Sequence, residues 1–241
     1  MHTITAQDER DHDQNHGQHD GQHDDQRGGS GPGQNVLGAL RRLAPPGHVS
    51  FRQALKLADT QASHLLRHAH VRSWPTPTAI TDAVHRLRVT YEHLPSSGMC
   101  FWDGRSWVIC IARDEPTARQ RFTIMHELKH IIDYGSDARL YRGHGRLSPA
   151  QQAERAADYF AGCLLMPKRL LRRAWRAGHR QPAALARLFE VSTRAVEVRL
   201  AQLGLVSEPV ADLMAAPLAS TAPQQLSLCP GADGPAEGGR P

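Results

Sequence analysis

The chain has 241 residues, with 29 Lys and Arg against 24 Asp and Glu, 15 His and a formal net charge of +5. That length suits one domain, or one domain with a small appendage. No run approaches the roughly 18 apolar residues of a membrane span, and no cationic start leads into an apolar leader segment, so a soluble cytoplasmic protein that touches no membrane is expected.

The charge is uneven. Residues 1–30 hold seven acids and two arginines, which leaves the remainder strongly basic. Such a body suits nucleic acid or an acidic partner, but solvated helix faces carrying Arg169, Arg172, Arg173 and Arg176 account for it equally well. Residues 1–35 are rich in His, Asp, Gln and Gly and contain no Leu, Val or Phe. They cannot bury enough apolar surface to offset their ordering entropy and read as a disordered tail. The histidines there (His2, His12, His16, His19, His23) lack any fixed ligand geometry.

Ser50–Ala69 has the apolar spacing of an amphipathic helix. Its i,i+4 pair His64 and His68 has no Glu after the first His and reads as surface histidines. Trp74-Pro75-Thr76-Pro77 is a break, Thr78–Leu87 a short helix, and Arg88–Glu92 a strand. Met99–Trp102 and Ser106–Ala112 flank Asp103-Gly104, a hairpin signal. Thr117-x-x-Gln120 reads as a capping box opening a helix that runs to Tyr134. Ser148-Pro149-Ala150-Gln151 opens another, with Ser as N-cap, Pro in the first turn and Gln at the capping-box position. Pro182–Leu203 reads as helix, break at Val191-Ser192, helix, so residues 182–205 form a helix-turn-helix-like module. Its second helix offers Arg194 and Arg199, a modest base-reading set that favours packing or substrate docking over DNA contact. Residues 207–241, rich in Pro, Ala, Gly and Ser, read as a second disordered tail with at most a short helix at Pro209–Met214. Cys100, Cys110, Cys163 and Cys229 show no CxxC spacing and read as reduced thiols.

Within the helix ending at Tyr134 stands His126-Glu127-Leu128-Lys129-His130. Residues four apart share a helix face, so both imidazoles can bind one metal ion. Glu127, about 100° round the helix, stands beside that ion, where it can take a proton from an activated water. A catalytic zinc site needs a third protein ligand and one open position. The Ser148 helix carries Glu154 and Asp158, again four apart. Glu154 is the candidate third ligand, and Asp158 the candidate acceptor for a ligand imidazole N–H. Between the two helices Tyr134, Tyr141 and His144 are candidate oxyanion donors. The strand near Cys110 is core by default and otherwise an edge for an extended peptide.

Three ordered blocks resemble the ImmA/IrrE-type metallo-endopeptidases over about Leu87 to Leu205. They are Arg121-Phe122-Thr123-Ile124-Met125-His126-Glu127-Leu128-Lys129-His130, Glu154-Arg155-Ala156-Ala157-Asp158-Tyr159-Phe160-Ala161 and Leu164-Leu165-Met166-Pro167. The resemblance implies one catalytic zinc ion on His126, His130 and Glu154, with Glu127 as general base. It also implies a protein substrate, a repressor-type transcription regulator, cleaved in some cases after a stress signal. The chain departs from the family pattern at Met125 (Ala in the pattern), Lys129 (often Gly) and Ala156 (often a second acid), none of them a ligand position. The expected fold is α+β and mainly helical. Residues 36–206 form a zincin-like domain with an HExxH helix, a third-ligand helix, a small antiparallel or mixed sheet and the helix-turn-helix-like segment closing it. The competing reading is a DNA-binding or protein-binding regulator whose zinc is structural or inactive; an intact Glu127 argues against it.

Overall fold

The computed structural model describes residues 35–143 and 147–206. Both expected tails, the short helix at Pro209–Met214 and the candidate His144 lie outside the described residues, apart from Asn35. In chain order the elements are α1 (Val36–Arg42), α2 (Phe51–His68), a 3-10 helix (Thr78–Ala83), β1 (Leu87–Glu92), β2 (Gly98–Trp102), β3 (Trp107–Ala112), α3 (Thr117–Asp133), α4 (Asp137–Leu140), α5 (Pro149–Leu165), α6 (Lys168–Arg176), α7 (Pro182–Phe189) and α8 (Thr193–Gln202). The fold is α+β and mainly helical. Among the described residues no helix is long and apolar enough to cross a membrane.

The sheet has the order β1-β3-β2 and is mixed. β2 and β3 form the hairpin, with Met99 opposite Cys110 and Trp102 opposite Trp107. Asp103 closes its turn by accepting from the backbone N–H of Arg105 at 2.8 Å and Ser106 at 2.6 Å, and Gly104 takes the left-handed conformation (φ 91°) that a side chain would disfavour. β1 returns parallel to the outer side of β3, Leu87 opposite Trp107 and Glu92 opposite Ala112. β3 is therefore central and buried along its whole length. The strand carrying Cys110 has no free edge; among the described strands the two edges are β1 and β2.

Of the helix starts read at Ser50, Thr117 and Ser148, two form as read or within one residue. Ser50 caps α2 and Ser148 caps α5, each in a reciprocal capping box with Gln53 and Gln151. The third does not form. α3 begins at Thr117 behind Pro116, so Gln120 stands one residue too far along, and Pro116 has no N–H for it to accept. Gln120 instead donates to the carbonyls of Ala112 at 3.0 Å and Arg113 at 2.9 Å, stitching the end of β3 to the start of α3. The short helix expected over Thr78–Leu87 is a 3-10 turn that ends at Ala83.

α3 packs against α5 and the sheet, and α5 packs against α2. Ile109, Ile111, Met125, Leu128, Ile131, Phe160 and Leu164 are completely buried. Met125, the departure from the family's Ala, fills that core. A buried Arg121 binds three segments together. Its guanidinium donates to the carbonyls of Thr76 (2.8 Å) and Glu190 (3.1 Å) and faces the Glu190 carboxylate at 3.4 Å. The loop after α2, the start of α3 and the end of α7 thus share one cation. In α8, Arg199 turns inward: it is 2% exposed, donates to the Met166 carbonyl and to Gln202, and lies over the Tyr159 ring. Only Arg194 of the expected pair is exposed, and it faces Glu197 at 3.6 Å. The second helix thus packs its Arg199 side against the domain.

β2 reaches α3 through Gly98. A Cβ there would stand 2.6 Å from Thr123 Cγ2 and 3.0 Å from the Cys110 carbonyl oxygen. Thr123 is buried, β-branched and one turn before His126, so it has little room to yield. Gly98→Ala should lower unfolding stability by about 1–3 kcal/mol, the usual cost of overpacking. Urea denaturation of the two proteins reads this, and equal midpoints would show that β2 can withdraw freely from α3.

Candidate metal centre

α3 supplies two nitrogens to one point. His126 Nε2 and His130 Nε2 are 3.1 Å apart, their rings tilted 63° to each other. α5 crosses above them. Ala157 and Ala161 are fully buried on the face that also carries Glu154 and Asp158, and these small side chains let α5 approach α3 closely. Glu154 Oε2 then lies 3.3 Å from His126 Nε2, and Oε1 lies 3.4 Å from His130 Nε2. Asp158 Oδ1 is 2.9 Å from His126 Nδ1. An Nδ1–H donated there leaves the Nε2 lone pair aimed at Glu154 and His130.

These separations carry a test of the ion. Zinc with bonds of about 2.0–2.2 Å in a tetrahedron holds its ligand atoms about 3.3 Å apart. The three observed edges are 3.1, 3.3 and 3.4 Å. Two imidazoles and one carboxylate fit a tetrahedral zinc with a fourth corner left for water or substrate. Among the described residues this is the one His/Cys/Asp/Glu group close enough to hold an ion; His64 and His68 gather no further ligand.

The electrostatics point the same way. Burial pulls the His126 imidazolium down, but hydrogen bonds to Asp158 and Glu154 outweigh it and raise the pKa to about 10. Burial lifts Glu154, and the hydrogen bonds from His126 and His130 more than reverse this, holding it well below the ordinary carboxylate range. Two carboxylates thus hold a cation at His126, a proton when nothing else is there.

Glu127 is buried beside this cage. The Cys100 thiol of β2 lies against it. Burial, and the Glu127 carboxylate to which the thiol donates, push that thiol well above its ordinary pKa. Sequence gave no sign of this neighbour, since Cys100 belongs to no motif and reaches Glu127 only through the fold. The oxyanion candidates are placed less simply. Tyr141 is buried and its hydroxyl donates to Asp133 Oδ2 at 2.5 Å, so that O–H is already committed. Burial and Asp133 push the phenol up. Tyr134 packs edge-on against Trp107, with ring centroids 5.1 Å apart. Lys129 is buried and pairs with the other oxygen of Asp133. Ala156 points away from the cage into a cluster with Ala54, Leu57, Leu140 and Tyr141, which explains why an acid is absent there.

Metal content should separate the roles. Glu154→Ala is expected to lose most of its zinc and His126→Ala nearly all of it, while Asp158→Asn retains the ion at about 10–100-fold lower affinity. Full zinc occupancy in Glu154→Ala, read by atomic absorption, would remove Glu154 from the ligand set.

The metal-free chain should also report on its charges through pH. His126 stays protonated in the folded chain up to about pH 10, against 6.5 for an ordinary imidazole. Its contribution to stability is complete below about 6.5 and fades as pH rises toward 10. Glu154 contributes above its ordinary value near 4.5 and loses that contribution as pH falls. In chelator, the melting temperature should decline from about pH 6.5 upward, and this decline should be weaker in His126→Gln. Identical alkaline limbs in the two proteins would contradict the assignment.

Residues 84–201 match the family model Peptidase_M78, the IrrE N-terminal-like domain. That span runs from the residues just before β1 into α8 and includes every residue of the cage. No curated protein matches the chain. With the HExxH helix, the third-ligand helix and the mixed sheet all inside the matched span, residues 84–201 of the chain form an IrrE N-terminal-like domain of the Peptidase_M78 family.

Proposed function

We propose that the chain is a cytoplasmic, zinc-dependent endopeptidase whose substrate is a protein, specifically a repressor-type transcription regulator. The observation that carries the peptidase reading is the juxtaposition of a tetrahedral N,N,O cage with a buried carboxylate, Glu127, on the next residue of the same helix. A structural zinc site is closed by four protein ligands and has no use for a base at its side.

His126, His130 and Glu154 would hold the ion, and Asp158 would keep the His126 ring turned toward it. Bound there, zinc supplies a Lewis acid that acidifies a water and polarises a carbonyl. Glu127 then accepts the proton of the attacking water and returns it to the leaving amine as the bond breaks. The edge of β2 supports the substrate class. β2 pairs with β3 alone among the described strands, and its Cys100 lies against Glu127. An extended peptide added to that edge would run past the base, with backbone pairing giving affinity and side chains giving selectivity.

Glu127→Gln tests the proposal. It is nearly isosteric and leaves the cage intact, but an amide cannot take the proton. Folding and zinc content should be near normal. Cleavage of the repressors encoded beside its gene, followed by mass spectrometry, should fall by at least about 10²-fold. Relief of repression in cells by Glu127→Gln but not by His126→Ala would make the zinc structural and the chain a binding regulator.

A further inference from the structure

The positive charge of this chain has a definite address. Between Asp158 and Glu190 there is no acidic residue, and α6 carries Lys168, Arg169, Arg172, Arg173 and Arg176. At 100° per residue these five fall in an arc of about 140°, centred opposite the buried Leu170, Leu171 and Ala174. Four of the five are exposed and Arg172 is half-buried. No ion pair among the described residues takes up any of them. Two guanidiniums at this end of the domain are held in place by indoles. Arg173 lies 4.3 Å over Trp74, and Arg180, just beyond the helix, lies 4.6 Å over Trp175. Stacking of this kind lowers the entropy lost when the guanidinium engages a ligand.

We infer that the outer face of α6 binds the phosphate backbone of double-stranded nucleic acid without reading its sequence. The face is about 12 Å long, and a duplex carries one negative charge per roughly 1.7 Å of axis. Three or four phosphates of one strand therefore lie within reach of the five cations. An acidic protein is the poorer fit, because protein interfaces are built on an apolar centre depleted of charge. The single exposed large hydrophobic among the described residues, Tyr91, lies on β1 and not on this helix. Backbone contact also agrees with the inward-turned Arg199 in α8, which is spent on the Met166 carbonyl and not offered to a base edge. The inference does not rest on the peptidase reading.

The test uses the full chain and a fluorescent 24-base-pair duplex of arbitrary sequence, with binding read by anisotropy from 50 to 200 mM salt. With three to four phosphate contacts, affinity should fall roughly 40–150-fold over that range and be equal for an unrelated duplex. The triple variant Arg169→Gln, Arg172→Gln, Arg176→Gln leaves the Trp74 stack untouched. It should lower affinity at 50 mM salt by at least about tenfold and flatten the salt slope by roughly 3. Its zinc content and melting temperature should match wild type. Should the triple variant fail to fold, each single Gln variant should flatten the slope by about 1. Unchanged binding in the variants, or tighter binding to polyglutamate or to phosphatidylserine vesicles than to the duplex, overturns the inference. Glu127→Gln should bind the duplex as wild type does, which keeps this result separate from the outcome for the peptidase.

Discussion

The centre of this molecule depends on the close approach of α5 to α3, and on what that approach does to one imidazole. His126 is completely enclosed, which by itself opposes any positive charge on it. It is nevertheless held as a cation because Asp158 and Glu154, one helical turn apart on α5, meet it from two sides. The contact depends on Ala157 and Ala161, since larger side chains would hold the helices apart. Packing of small residues therefore sets the ligand geometry, and a dication in the cage would satisfy the same carboxylates that otherwise hold a proton.

Much of this was legible because it is local. An i,i+4 pair needs only helical periodicity to face one point, and Ser148 with Gln151 starts α5 so that Glu154 and Asp158 share a face. The hairpin was legible from Asp103-Gly104 for the same reason. The parallel return of β1 was not, because no short turn encodes it and it depends on how β3 is covered. The failed capping box at Thr117 shows how a local rule yields to its neighbour, since Pro116 moved the helix start by one residue and removed the N–H that the motif requires. Tyr141 and Arg199 show a different limit. Both residue types suit the chemistry expected of them, but each finds a buried partner far from any sequence neighbour that could announce it, Asp133 for the tyrosine and the Met166 carbonyl for the arginine.

Cys100 belongs to no motif in the sequence, and the fold places it against the base. Its thiol donates to Glu127, and burial together with that carboxylate keeps the thiol protonated. Its position on β2 also means that one of the two edge strands of the sheet touches the base directly.

The distribution of charge then follows from the metal centre. Glu127 and Asp133 on α3, Asp137 on α4, and Glu154 and Asp158 on α5 gather in this part of the molecule, and burial and Asp133 together raise the Asp137 carboxylate above its ordinary value. Lys129 is the fixed counter-charge in this group, and its burial, which lowers its pKa, is tolerated because Asp133 stands one turn away on the same helix. A Gly at that position, as the family often has, would leave Asp133 with Tyr141 alone. Removing one partner of a buried pair costs far more than the pair itself contributes, so Lys129, Asp133 and Tyr141 form a set that can change together but not singly. The acidic groups are thus drawn inward around the site of a cation, while the arginines of α6 are left outside with no acid near them in sequence. A net charge of +5 averages over these two opposite fields and describes neither.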